Sequence, residues 1–582
     1  MVVRAFGVRA GTCLIPRLLR LACLALFVLL ALAVCAEDAG TRVSGSLSAR
    51  TSTDSGPVVG LPKVTGPIGA VQAGDPSRNY PFDASLVPVS EYGYTENEYF
   101  FSGDTSAGSY TSRMLVRRPA DPARFSGTVI VECANPMPGF DVDLLWTEAA
   151  ADIMRSGDAF VLVTAQPEGV YSHDTGLKAW SPKRYAPLSM PQNSSSASQP
   201  GGSSAAELGS LQIFGQALEA IRSQAGVAPL DGLQVKRLIA TVGSESAVWM
   251  TGYASQFGSL YGGADGYLIW DLSSASPLMH GDGPANAKTF PSPTGAGGPP
   301  VLWINTESDA ARTHTTPDGP EYRLWEVAGT THVDMDMFEY VADLEGRDFG
   351  GKSTFPNCKY PPLSRIPTGY ALDAGIADLT AWIQTGTPPP SQPPLQYDAQ
   401  GNVVRDAYGN AVGGVRLPAE AVPTAATGPE NSGPGFCISA GHTIPFSADV
   451  LRDLYPTHAD YAAKFNRAAQ AAVVAGVMLP YDAQQAVNAA SSANVPPAAS
   501  VAPKSCAAKR AVWIRIPVTI RRQHVLRARI TTPGHHPVSA RGGRRVRLVV
   551  QRRTSDRVTV RIALRLRAGK RVLQVRTYQM CR

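Results

Sequence analysis

The chain has 582 residues, 44% of them hydrophobic and 17% charged, with a net charge of +6. That length exceeds one ordinary hydrophobic core, so two or more domains are required, and the apolar content excludes a largely disordered chain. The charge is unevenly placed: residues 505–582 hold 21 Lys and Arg against one acid, Asp556, which leaves residues 37–504 at −18.

Residues 1–36 carry Arg4, Arg9, Arg17 and Arg20 ahead of an apolar block. This is the pattern of a secretory signal, cleaved near Val34-Cys35-Ala36. The block spans 16 residues, short for a stable membrane span, so an exported protein with no span after cleavage is expected. Residues 37–60 are Ser/Thr/Gly-rich and read as a disordered leader. Alternating stretches at 92–101 and 110–116 predict an antiparallel meander. The run 127–133 is nearly continuously apolar, as in a strand buried on both faces. A helix over 144–155 and a strand over 159–164 follow. Residues 166–206 form a Pro/Ser/Gly-rich insertion carrying Trp180 and Tyr185, and 211–223 predicts an amphipathic helix.

The run Leu238-Ile239-Ala240-Thr241-Val242-Gly243-Ser244-Glu245-Ser246-Ala247 then passes from an apolar strand through small residues into a helical pattern. Strands at 266–270 and 300–305 flank a second insertion, 272–299. A strand at 322–328 leads into Gly329-Thr330-Thr331-His332. Strands alternating with helices after a meander predict an α/β domain over 61–490, doubly wound around a mostly parallel sheet. A closing helix is expected at 370–384, a surface wrap at 385–435, and a helical elaboration at 455–475 and 481–490. Residues 491–505 are an Ala/Ser/Pro linker. From 506 to 582, apolar and basic residues alternate over short strands, which predicts a small all-β, sandwich-like module.

A strand, sharp turn and helix with serine at the tip is the arrangement that exposes a nucleophile. In a doubly wound sheet the reacting groups collect at the carboxyl ends of the strands. Ser244 takes the nucleophile position, Asp309 follows the strand 300–305, and His332 follows the next strand. Serine, acid, histidine is the α/β-hydrolase order, with His332 as base and Asp309 orienting it. Glu307 is the alternative acid and Ser246 the alternative nucleophile. The oxyanion hole draws on the backbone N–H of Glu245 and on the backbone around Asn135 after the strand 127–133.

These residues resemble the bacterial "alpha/beta hydrolase domain" family of exported predicted serine esterases. The likeness rests on Gly127-Thr128-Val129-Ile130-Val131-Glu132 with Asn135, on Gly139-Phe140-Asp141, on the elbow, on Thr306-Glu307-Ser308-Asp309 and on Trp325-Glu326-Val327-Ala328-Gly329-Thr330-Thr331-His332. It implies an α/β-hydrolase fold and a carboxylic ester hydrolase working through an acyl-enzyme on a small-molecule ester. The family elbow usually reads Gly-x-Ser-Gln-Ser-Ala; here Val242 replaces the first glycine and Glu245 the glutamine. A branched residue at 242 is expected to crowd the turn. These departures also admit a second reading, a catalytically silent fold that binds at the cell surface. The tail resembles Arg-rich, Cys-bracketed β-modules appended to exported actinobacterial proteins.

In an oxidising compartment the pairs Cys506–Cys581 and Cys358–Cys437 are expected as disulfides, with Cys133 a buried free thiol. Neither C-x-x-C nor H-E-x-x-H occurs, so no metal is expected, and no cofactor. The basic tail suits an anionic cell-wall polymer or docking on the acidic body, with nucleic acid a less favoured partner. Trp180 and Tyr185 point to an apolar or aromatic substrate group, with both insertions shaping the pocket.

Overall fold

Nine strands form one sheet: β1 (Lys63–Thr65), β2 (Tyr94–Thr105), β3 (Gly108–Pro119), β4 (Thr128–Cys133), β5 (Ala159–Val163), β6 (Arg237–Gly243), β7 (Gly266–Trp270), β8 (Val301–Thr306) and β9 (Tyr322–Val327). The computed structural model describes residues 60–69, 79–136, 138–192, 205–244, 246, 247, 250, 253, 254, 263–271, 297–310, 318–351, 357–360, 362–429, 431–497, 511–520, 522–532, 537–549, 557–567 and 569–579. The expected signal and leader, Glu245, most of the second insertion, and the Cys506–Cys581 pair lie outside these residues.

The strand order is β1-β2-β3-β5-β4-β6-β7-β8-β9. The first three strands pair antiparallel and β3 pairs antiparallel with β5. From β5 to β9 every pairing is parallel. Every residue of β4, β5, β7 and β8 is buried, which explains their mostly apolar sequences: both faces of these strands are covered. Helices Leu144–Ser156 and Gly369–Thr385 pack on each other and against β6, while helix Ala205–Ser223 lies against β2 and β3. Gly157, in the left-handed region, ends the first of these helices and turns the chain into β5. Trp270, Trp303 and Trp325, from three successive parallel strands, are among the largest fully buried side chains. Because the strands run parallel, the loops after β4, β6, β7, β8 and β9 all emerge at one end of the sheet.

Residues 385–435, expected to wrap the surface, instead lock onto the sheet. Ala328 N donates to Val415 O at 2.9 Å, Leu395 N donates to Glu326 Oε2 at 2.7 Å, and Arg405 pairs with Glu307. The reason is that the buried carboxylates of Glu326 and Glu307 need donors, and this segment supplies them. Strands β10 (Ala425–Gly428) and β11 (His442–Pro445) form a separate ribbon beside it. The Cys358–Cys437 disulfide, with Cα atoms 5.4 Å apart, ties the connection between β10 and β11 to the segment 357–360, and Cys133 is a buried free thiol. Helices His458–Val474 and Pro480–Ser492 pack as a pair.

The basic segment folds as antiparallel sheets: β12 (Ala511–Arg515), β13 (Thr519–Ile520), β14 (Gln523–Thr531), β15 (Val538–Ala540), β16 (Arg545–Val549), β17 (Arg557–Leu566) and β18 (Arg571–Gln579). β12 pairs with β16, and β13-β14-β17-β18 form the second sheet with β15 beside β14. Ile514, Leu548, Ile530, Val560, Ile562 and Leu564 bury together between them, a core made by the period-two alternation. Among the described residues no helix is long and apolar enough to cross a membrane.

Candidate active site

β6 ends at Gly243, and Ser244 follows with φ +62°, a left-handed conformation that L-residues with side chains rarely adopt. A Cβ at Gly243 would sit 2.6 Å from the Trp270 ring, so glycine is required there. Val242 does not crowd the turn. It lies within β6, buried and in register with Ile269, where extended backbone favours a branched side chain. The strained conformation falls two residues later, on Ser244 itself.

The loop after β9 is held from both sides. Gly329, at φ +78°, donates its N–H to Glu307 Oε2 at 2.7 Å, and a Cβ there would meet Glu420 Oε2 at 2.6 Å. His332 N donates to Ser308 Oγ at 2.8 Å. Asp334 caps helix Met335–Phe349 by accepting from Asp336 N and Met337 N, both at 3.0 Å, and it also accepts from Thr368 N at 3.2 Å. So fixed, the His332 ring places Nε2 2.8 Å from Ser244 Oγ and Nδ1 3.1 Å from Asp309 Oδ2. All three residues are buried.

A second carboxylate is present that the sequence reading missed. Asp271, the first residue past β7, lies with Oδ2 3.1 Å from the same His332 Nδ1. Thr306 Oγ1 is 2.6 Å from Asp309 Oδ2 and 3.0 Å from Asp271 Oδ1, so it ties the two acids together. The available signal was positional: an acid directly after an apolar parallel strand, at the catalytic end of the sheet. Burial raises the Asp271 carboxyl well above the usual range and outweighs the opposing field of His332. Burial acts the same way on Asp309, but His332 and hydrogen bonds from Asp271 and Thr306 bring it down to about 2. For His332, burial lowers the pKa, while the two carboxylates raise it well above the usual histidine value.

Other sequence expectations are corrected. Glu307 does not reach His332; it pairs with Arg405 and pins Gly329, a positioning task for the histidine loop. Ser246 accepts from Gln166 Nε2 at 3.0 Å and is not brought to His332. The Asn135 N–H is taken by Val142 O at 3.0 Å, so it is not an oxyanion donor; its side-chain Nδ2 donates to Gly243 O at 3.3 Å beneath the elbow. Glu245 lies outside the described residues. Trp180 and Tyr185 are core residues: Trp180 donates to Asp348 O at 3.0 Å, and the Tyr185 hydroxyl bonds Phe82 N and Glu98, both at 2.8 Å.

The cleft above Ser244 is lined instead by Asn135, Pro138, Val142, Leu144, Val333, Met337, Phe338, Val341, Ala342, Glu345 and Ser439. Its cavity volume is about 80 Å³, a narrow cleft. Helix Met335–Phe349 provides half of the apolar wall, through Met337, Phe338, Val341 and Ala342. Asp271, Asp309 and His332 present ligand atoms within 4.8 Å of one another, but the His332 ring already spans Ser244 and the acids with both nitrogens.

Strand order, parallel crossovers and a serine at the strained turn after the central strand define an α/β-hydrolase fold. The chain belongs to the "Alpha/beta hydrolase domain" family, whose model matches residues 64–488. No curated protein matches. Among solved structures, the carboxylesterase Cest-2923 from Lactobacillus plantarum WCFS1 is 12% identical, covering 36% of this chain and 70% of that one at a TM-score of 0.23. A glucuronoyl esterase from Solibacter usitatus is 11% identical, covering 44% and 83% at 0.25. An alpha-beta serine hydrolase homologue from Coxiella burnetii is 10% identical, covering 39% and 86% at 0.22.

Proposed function

We propose that this protein is an exported serine hydrolase that cleaves carboxylic esters through an acyl-enzyme. The observation that carries the reading is the continuous hydrogen-bond line from Ser244 Oγ through the His332 ring to Asp309. Neutral Nε2 takes the Ser244 proton as Oγ attacks the ester carbonyl. The resulting imidazolium is stabilised by Asp309 and returns the proton to the leaving alcohol; water then releases the acid by the same path. The apolar wall of Met337, Phe338, Val341 and Ala342 suits an apolar acyl or alcohol group.

Purified protein should hydrolyse short-chain nitrophenyl esters, and Ser244→Ala should lower kcat/KM by on the order of 10⁴-fold or more. Equal rates in the two proteins would sink the assignment. Because the base must be neutral and the His332 pKa is raised, kcat/KM should climb with pH and reach half its plateau above the usual histidine value. A fluorophosphonate probe should label Ser244. Folded protein that neither turns over nor labels would leave the silent, surface-binding reading in its place.

For the basic module, the reading is an anionic wall polymer as partner. Its support is a row of exposed arginines in register across three strands: Arg527 opposite Arg565, and Arg565 opposite Arg571. Like charges set side by side without an acid between them favour a polyanionic partner.

A further inference from the structure

Two acids face one imidazole nitrogen. Asp271 comes from the end of β7 and Asp309 from the turn after β8, yet both place Oδ2 3.1 Å from His332 Nδ1. The N–H bond is aligned on Asp309, and among the described residues no donor is aligned on Asp271 Oδ2, although that oxygen is buried. A buried carboxylate oxygen without a donor is costly, and two ionised carboxylates in contact in a buried site are costlier still. Both costs vanish if Asp271 carries a proton and donates it to Asp309.

We propose that Asp271 and Asp309 act as one acid, sharing a single proton, and that either carboxylate can orient His332. This rests on the hydrolase reading above. The pair then presents one negative charge to the imidazole, enough to stabilise the imidazolium during turnover. Two charges at that distance would hold the ring protonated and remove the base. The hydrogen bond between the carboxyl groups runs from Asp271 to Asp309, in keeping with their opposite pKa displacements. Thr306 fixes both carboxylates, so loss of one leaves the other in place. Of the other acids nearby, burial pushes the Glu148 carboxyl well above the usual range, Glu307 is paired with Arg405, and Asp334 is tied into its helix cap. No proton leaves the pair during the cycle; the transferred proton passes from Ser244 to His332 Nε2 and on to the leaving alcohol.

The test is a double-mutant cycle on kcat/KM with the isosteric variants Asp271→Asn and Asp309→Asn, their folding checked by thermal unfolding. Each single variant should lose about 10-fold, because the remaining acid ionises and takes the imidazole, whereas the double variant should lose on the order of 10⁴-fold. A double loss no larger than the product of the singles, or an Asp309→Asn variant as slow as the double, overturns the proposal. A second arm follows the His332 ring by nitrogen NMR in wild type and Asp271→Asn, independent of turnover. If Asp271 is already neutral, the imidazole titration moves by less than about one pH unit; a larger downward move shows that Asp271 was ionised and overturns the shared proton. Wild type without esterase activity would end the hydrolase reading but leave this second arm decisive for the pair, and the same arm decides if the double variant does not fold.

Discussion

The body and the basic module use charge in opposite ways. In the body, Arg113 and Arg117 are nearly inaccessible to solvent. Arg113 lies 3.1 Å from Glu98 and 3.3 Å from Asp141, while Arg117 pairs with Glu96 at 2.7 Å and with Asp143. In the module, strand alternation puts Val560, Ile562 and Leu564 inside and leaves Arg561 and Arg565 exposed on the same strand. The difference is functional. Asp141 and Asp143 belong to the loop after β4, which also contributes Asn135, Pro138 and Val142 to the cleft. The buried pairs therefore anchor one wall of the site to β3, whereas Arg561 and Arg565 stand away from the module's core in solvent.

The largest effect that sharpens this comparison comes from Arg113→Met. It preserves bulk but leaves Asp141 without its counter-charge and Glu98 with Arg184 alone, so the body should lose about 3–5 kcal/mol of stability in denaturant unfolding. A loss under about 1 kcal/mol would mean that the buried network is not a positioning device. The conjugate change, Arg113→Met with Asp141→Asn, should recover part of the loss, because it removes the carboxylate left without a counter-charge.

A smaller effect follows from pH. Burial raises Asp158 and Asp334 to about 6 and Glu420 to about 7. Between the usual carboxylate range and those values, the folded body holds protons that the unfolded chain has released. This contribution to stability is fully present below about pH 4 and is lost as pH rises through the folded values, at about 1.4 kcal/mol per pH unit for each proton retained. Asp309, near 2, acts in the other direction: its contribution is present above the usual range and is lost as pH falls toward 2. The body's unfolding midpoint, read from its buried tryptophans, should therefore drop between about pH 4.5 and about pH 7.5. A midpoint that rises over that interval would break the argument.

How much of this was legible in the sequence depends on whether the cue was local. The mostly apolar runs of β4 to β8 have one physical meaning, strands covered on both faces; the carboxyl ends of β6 and β8 lead to Ser244 and Asp309, and that of β9 leads to His332. Asp271 was passed over because it stands before a Ser/Pro/Gly-rich stretch, and nothing in a linear reading reveals that it converges on the same nitrogen as Asp309. Glu307 and Asp309 are both acids in one short turn. Only the fold shows that the first faces Arg405 and the second His332. Trp180 and Tyr185 misled because aromatic residues in an insertion look like pocket residues until their polar atoms are seen to be satisfied by Asp348, Phe82 and Glu98. Val242 misled because the turn's strain was assigned two residues too early.

The smallest stability effect belongs to the module, and it separates the two uses of charge most cleanly. Replacing Arg527, Arg565 and Arg571 together by Gln removes three side chains that lie side by side on an exposed face. Exposed charges contribute little to folding, and like charges directly opposite each other repel, so thermal unfolding should change by no more than about 0.5 kcal/mol per site, with a gain as acceptable as a loss. The core beneath, Ala528, Leu564 and Val572, is untouched. Retention on isolated cell wall should nevertheless fall sharply and lose most of its salt dependence, because the attraction to a polyanion is set by this local density of positive charge and is screened over roughly 8–10 Å. Hydrolysis of a small soluble ester should stay as in the unmodified protein. If retention survives the triple substitution, the arginine row is not the contact; if stability collapses with it, the module's charge is structural after all and the contrast with the body disappears.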